Sequence, residues 1–258
     1  MKLLVQADDY GISKAVSLGI IHGIKNGMIR NTGLFANMEW TKECVEYIKP
    51  YLDQIDFGID LNITTGKPLL PKEKIPSLVK ENGEFFTSWE MRELQKHEST
   101  LFKIEVYAEF ETQILKFIEL VGKKPDYIHS HAFTNESILE VQRQLSKKYD
   151  IPFASDVWKK TFGCQVTEYR IPWYLKPANL ENQMNSSLSS YILTHADDLL
   201  KNEYNLLVGH MGYVDRELVD LSSYHLYRLN DLEGACNPEV LEWIHKNNVQ
   251  LIRYKDII

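Results

Sequence analysis

Short apolar runs rich in β-branched or aromatic residues alternate along this chain with longer segments of helical periodicity, which restricts the fold to the βα kind. Leu3 to Ala7 reads as a first strand. A helix over Lys14 to Asn26 follows, with Val16, Ile20, Ile21 and Ile24 on one side and Gly27 at the C-cap. Further strands are predicted at Thr32 to Phe35, Phe57 to Ile63, Tyr127 to Ser130, Ile151 to Ala154, Asn205 to Gly209 and Gln250 to Arg253. Thr87 with Glu90 reads as a capping box, and Asn237-Pro238 as a cap residue before a proline in the first helical turn. The stretches Thr64 to Asn82 and Trp158 to Pro177 lack a clean period and hold Pro and aromatic residues, so they are expected to be long loops and binding walls. No repeat, low-complexity tract or linker interrupts the pattern. One α/β domain, a (β/α) barrel over residues 1–258, is the expectation.

Polar residues sit at the strand ends. Asp8 and Asp9 follow the first strand, Asp60 and Asn62 interrupt the third, His129 and His131 close the fourth, and His210 follows Leu206-Leu207-Val208-Gly209. In a parallel barrel such ends meet at one face, where active sites form. Each motif also has an ordinary explanation. The pair Asp8-Asp9 either caps the next helix or supplies one carboxylate to a metal and another to a water. His129-Ser130-His131 is either a hydrogen-bonded pair or, since imidazole is the commonest metal ligand, part of an ion site. Asp60 within a strand needs a compensating partner, which is a basic side chain, backbone amides or a metal. His210 between glycines is either a turn residue or a general acid. Arg228 and Asp231 either pair along a helix or orient a catalytic group. His22, His97, His195, His225 and His245 receive no role.

A formal charge of -7 argues against a chain built to neutralise nucleic-acid phosphates. The three cysteines, Cys44, Cys164 and Cys236, are widely spaced and form no zinc or disulfide pattern. The start of the chain lacks a secretory apolar core, and no run approaches the ~18 apolar residues of a membrane span. A cytoplasmic protein with neither nucleic-acid nor membrane partners is expected.

Ordered along the chain, four blocks resemble the YdjC-like, or chitooligosaccharide deacetylase, family. Ala7-Asp8-Asp9-Tyr10-Gly11-Ile12-Ser13 is similar to the family's ADDFGxS opening. GIDLNITTGKP, from Gly58 to Pro68, resembles its GxHxxLTxGKP block. FIELVGKKPDYIHSH, from Phe117 to His131, resembles FxxxxGxxPTHxDSH, and Leu207 to Tyr213 resembles a strand followed by HPGY. The resemblance implies a TIM-like barrel, distorted and short of eight units, a divalent metal, removal of N-acetyl groups from amino sugars, and a homodimer. It assigns Asp9, Asp60 and His131 to the metal and Asp8 to the general base; His210, or else His129, is then expected to be the acid that protonates the leaving nitrogen. His129 is a further ligand or neighbour of the ion. Substrate-binding residues are not assigned.

Two departures stand out: Asp60 replaces the histidine of GxH, and His129 replaces the aspartate of DSH. Phe133 and Asn135 replace later histidines. Either Asp60 and His129 trade roles around one ion, or the activity is altered. The added carboxylate favours harder ions such as Mg²⁺ or Mn²⁺, with Zn²⁺ also admissible. The rival expectations are a metal-dependent phosphoester or glycosidic hydrolase on the same barrel, and a non-catalytic sugar-binding protein.

Overall fold

The computed structural model describes residues 1–94 and 99–258, so His97 lies outside the described residues. Strands β1 (Lys2–Tyr10), β2 (Asn31–Leu34), β3 (Asp56–Leu61), β4 (Ile128–Ser130), β5 (Tyr204–Gly209) and β6 (Gln250–Ile252) form one sheet ordered β4-β3-β2-β1-β5. Strand β6 pairs with Lys2 to Leu4 of β1, whereas β2 begins its pairing at Gln6. All pairings are parallel.

Among the described residues, helices cover the intervals between strands. After β1 comes α1 (Lys14–Asn26), and after β2 comes α2 (Thr41–Ile48). Between β3 and β4 lie α3 (Ser88–Glu93) and α4 (Thr100–Val121); between β4 and β5 lie α5 (Glu136–Tyr149), α6 (Ala154–Thr161), α7 (Leu180–Met184), α8 (Leu188–Thr194) and α9 (Ala196–Lys201). The helices α10 (Arg216–Leu221), α11 (Leu226–Ala235) and α12 (Pro238–Lys246) precede β6. The capping box at Thr87 and Glu90 forms, and Asn237 caps α12 as its sequence predicts. No helix among the described residues is long and apolar enough to cross a membrane.

Period-two alternation sorts each strand into two faces. Leu3, Val5 and Ala7 of β1, Phe57, Ile59 and Leu61 of β3, and Leu207 of β5 join the apolar layer between sheet and helices. Their neighbours turn the other way. Leu4, Tyr127, Trp158, Val208, Ile252 and Tyr254 form a second cluster, and in β1 Gln6 and Asp8 share the alternation of Leu4.

The barrel is open. The strand expected at Ile151 to Ala154 reduces to one bridge between Ile128 and Phe153, and α6 starts at Ala154. Pro152 is the physical reason: it offers its carbonyl to the Ile128 N–H but has no N–H to continue a ladder. Tyr169 reaches the far side instead, its hydroxyl accepting from the Val208 N–H at 3.1 Å. Strand β3 also ends earlier than Ile63, because the Asn62 side chain accepts from the Thr64 and Thr65 N–H groups and closes a turn.

Candidate active site

Two consecutive strand residues ordinarily face opposite sides, yet Asp8 and Asp9 both line one cavity. An irregularity between Ala7 and Tyr10 explains this: three residue steps on β1 oppose two on β2, from Thr32 to Leu34. Asp9 takes a φ of +70° there, a left-handed conformation that aspartate tolerates better than most residues. Its N–H then donates to Asp60 Oδ2 at 2.8 Å.

Asp60 and His129 are direct cross-strand partners on β3 and β4, so their side chains emerge on one face. His129 Nδ1 lies 3.4 Å from Asp60 Oδ1 and 3.9 Å from Asp8 Oδ1. Donor atoms of Asp8, Asp60 and His129 all lie within 4.8 Å of one another, and the three residues are buried. Space for Asp60 depends on Gly33, where an added Cβ would fall 2.0 Å from Asp60 Oδ1. Asp60 Oδ1 and both ring nitrogens of His129 are buried with no hydrogen-bond partner among the described residues. Burial pushes the Asp8 carboxyl up to about 8. Burial lowers the proton affinity of His129, but the Asp8 and Asp60 carboxylates outweigh it and raise the group above its ordinary value.

Asp9 and His131 form a second unit beside the first. His131 Nδ1 is 2.8 Å from Asp9 Oδ1, and Arg228 Nη2 donates to Asp9 Oδ2 at 2.6 Å. Burial opposes ionisation of Asp9, yet its His131 and Arg228 neighbours hold its carboxyl well below the usual range. The Thr65 hydroxyl lies 3.2 Å from the other ring nitrogen of His131. Arg228 comes from α11 and was left open by its sequence context; no local signal reveals that it reaches Asp9.

His210 follows β5, and its N–H donates to Asp231 Oδ2 at 2.9 Å. Asp231 also accepts from Trp173 Nε1 at 2.7 Å and from the Tyr174 hydroxyl at 2.5 Å. Gly209 admits this carboxylate, since a Cβ there would meet Asp231 Oδ2 at 2.7 Å. The Tyr174 hydroxyl also lies 3.2 Å from His210 Nδ1. Its hydrogen serves Asp231, so Nδ1 is the donor to Tyr174 and His210 Nε2 keeps a lone pair. Burial, reinforced by Arg228 and His131, brings the His210 imidazole down to about 3, so the ring is neutral.

These units line a cavity of about 870 Å³ with Thr64, Thr65, Trp158, Tyr169, Tyr174, Tyr224, Arg92, Arg170 and Lys176 among its walls. Trp158 borders the cavity, Trp173 is buried against Asp231, and Trp89 and Tyr213 are exposed. Phe133 lines the cavity, and Asn135 caps α5 by accepting from the Ile138 N–H. Thr65, Tyr169 and Tyr174 fall within the two stretches expected to be binding walls but were not singled out there, and Tyr224 lies in a short loop that no periodicity marks.

Comparison with known proteins covers the whole length of the chain. It is 33% identical over 262 residues to the carbohydrate deacetylase of Clostridium beijerinckii, spanning 100% of both chains. It is 30% identical over 260 residues to carbohydrate deacetylase 2 of Listeria innocua, spanning 100% of this chain and 99% of the other. Among solved structures, a putative cellobiose-phosphate cleavage protein from Enterococcus faecalis superposes with a TM-score of 0.79 at 26% identity, over 99% of this chain and 98% of that one. A model of the YdjC-like protein family matches residues 2–246, and the chain therefore belongs to the YdjC-like family.

Proposed function

We propose that the protein is a carbohydrate deacetylase that hydrolyses the N-acetyl group of an amino sugar or chitooligosaccharide, with a divalent cation held by Asp8, Asp60 and His129. The observation that carries this reading is the set of buried atoms without hydrogen-bond partners among the described residues, Asp60 Oδ1 and the two nitrogens of His129, gathered beside Asp8. Unpaired buried polar atoms are costly, and a cation would satisfy Asp60 Oδ1 and the His129 Nδ1 that faces the two carboxylates. Two carboxylates and one imidazole suit Mg²⁺ or Mn²⁺ and also admit Zn²⁺. The relatives named carbohydrate deacetylase support the acetylated sugar as substrate.

This assignment differs from the set Asp9, Asp60 and His131 expected from motif alignment. Asp9 and His131 face each other, and the second oxygen of Asp9 is taken by Arg228. Exchange of residue types between the cross-strand partners Asp60 and His129 keeps one carboxylate and one imidazole at those positions.

When bound, the cation supplies Lewis-acid polarisation of the acetyl carbonyl and makes a water easier to deprotonate. Proton transfer falls to His131. Asp9, kept ionised beside Arg228, accepts the Nδ1–H of His131 and leaves Nε2 with a lone pair. His131 Nε2 takes a proton from water as the water oxygen bonds to the acetyl carbon. When the C–N bond breaks, the same proton passes to the departing nitrogen, giving a free amine and acetic acid, which ionises to acetate. Asp8, read from the sequence as the base, serves the cation in this account. His210, read as the acid, is neutral with a free Nε2, so it accepts a hydrogen bond from a substrate N–H or hydroxyl. Tyr169 and Tyr224, both partly exposed along the cavity, offer faces for sugar rings.

Incubation with di-N-acetylchitobiose and Mg²⁺, Mn²⁺ or Zn²⁺ tests the reading by acetate release, which a chelator should abolish. His131→Ala should lower the rate by roughly a hundredfold or more while retaining Mn²⁺ binding, and His129→Ala should lose both. The reverse pattern of ion binding would return the cation to Asp9, Asp60 and His131. A protein that takes up no ion and releases no acetate would support the sugar-binding alternative.

A second reading, phosphoester hydrolysis, is favoured by Arg92, Arg170 and Lys176, which line the cavity and have no carboxylate ion pair among the described residues. Incubation with N-acetylglucosamine 6-phosphate distinguishes the two. Acetate alone supports deacetylation, and inorganic phosphate supports the rival.

A further inference from the structure

Beneath the acidic cluster runs a chain of hydrogen bonds with one permitted direction. Trp158 Nε1 donates to the Tyr254 hydroxyl at 2.6 Å, that hydroxyl donates to Gln6 Oε1 at 2.5 Å, and Gln6 Nε2 donates to Asp8 Oδ1 at 2.6 Å. An indole N–H donates only. Tyr254 must therefore receive the indole proton on its lone pair and send its own hydrogen onward. That fixes the Gln6 amide with its oxygen toward Tyr254 and its NH₂ toward Asp8. The members are sealed from water: Trp158 is 1% exposed, and Gln6 and Tyr254 are 0%.

We infer that Gln6 and Tyr254 are positioning residues for Asp8, committing its Oδ1 to the protein and presenting Oδ2 to the cation. The inference rests on the proposed role of Asp8 in holding that ion. No hydrogen bond engages Asp8 Oδ2 among the described residues, and Asp8 borders the cavity. Tyr254 is itself held on two sides. Its N–H donates to Asn31 Oδ1 at 3.2 Å, and its ring packs on Tyr127 with centroids 4.2 Å apart. Pairing of β6 with β1 brings this part of the chain beneath the site. Tyr254 lies outside residues 2–246, the stretch matched by the family model, so the positioning role extends the site beyond it.

Tyr127 provides an internal control. Its hydroxyl is buried in the same aromatic stack but has no hydrogen-bond partner among the described residues. Removing it deletes an equally buried oxygen without breaking the chain.

Mn²⁺ binding, followed by electron paramagnetic resonance titration, tests the inference on the full chain without reference to turnover. Tyr254→Phe and Gln6→Met should each weaken Mn²⁺ binding by about tenfold, the lower end of the range for loss of a group that orients a metal ligand. Tyr127→Phe should bind Mn²⁺ as wild type does. Thermal melts identify any variant that fails to fold, and Gln6→Met stands in if Tyr254→Phe does. Wild-type affinity in both Tyr254→Phe and Gln6→Met overturns the positioning role and leaves the deacetylase reading intact. An equal loss in Tyr127→Phe also overturns it, since any lost hydroxyl would then suffice. Failure of the wild type to bind Mn²⁺ removes both the positioning role and the cation site it serves.

Discussion

Arg228 and Asp9 stand 219 positions apart in sequence and meet at 2.6 Å with side chains only 1% and 2% exposed. A buried pair of this kind contributes little relative to an apolar pair, but losing one partner strands the other charge. Arg228→Met should therefore lower stability by about 3–5 kcal/mol near neutral pH, measured by urea unfolding. The pH dependence has a definite sign. Asp9 is depressed in the folded protein, so its stabilising share is present above the unfolded carboxyl value and is lost as pH falls through the folded one. The gap between wild type and Arg228→Met should shrink in acid; a gap independent of pH would contradict the pairing. The pairing of Arg228 with Asp9 was not identifiable from local sequence, since helical spacing pointed Arg228 only toward Asp231. In the structure Asp231 serves Trp173, Tyr174 and His210.

At the scale of elements, α4 fixes the loop after β3. Glu109 accepts from the Leu69 and Leu70 N–H groups, each at 3.0 Å, and Gln113 exchanges hydrogen bonds with the Asn62 backbone. That loop carries Thr65 to His131. Glu109→Gln should cost about 1–3 kcal/mol, because one acceptor oxygen is lost from a buried cluster. Burial raises the Glu109 carboxyl, so its ionisation disfavours the fold as pH rises from the unfolded value through the folded one. The variant lacks this penalty, and its deficit should narrow between acid and neutral pH in paired urea titrations. A widening deficit would contradict the burial argument. Elements with strong periodicity were legible: α1 spans Lys14–Asn26 as read, and β5 differs from its expected start by one residue. Ile151 to Ala154 was not, because an apolar run alone does not show that Pro152 will interrupt pairing. The bulge at Asp8 and Asp9 was equally hidden, since register is a property of two strands and is absent from either one.

For the whole molecule, the parallel order of β4, β3, β2, β1 and β5 brings four separated motifs to one cavity, as strand-end polarity implied. Which of those side chains pair with each other was not readable. Motif spacing places Asp9, Asp60 and His131 together, whereas the register of β3 with β4 and the bulge in β1 gather Asp8, Asp60 and His129 and leave Asp9 to His131 and Arg228. The most direct measurement is the anomalous difference density of a crystal grown with Mn²⁺. The account predicts a single strong peak within bonding distance of Asp8, Asp60 and His129. A peak between Asp9 and His131, or none in the cavity, would contradict it.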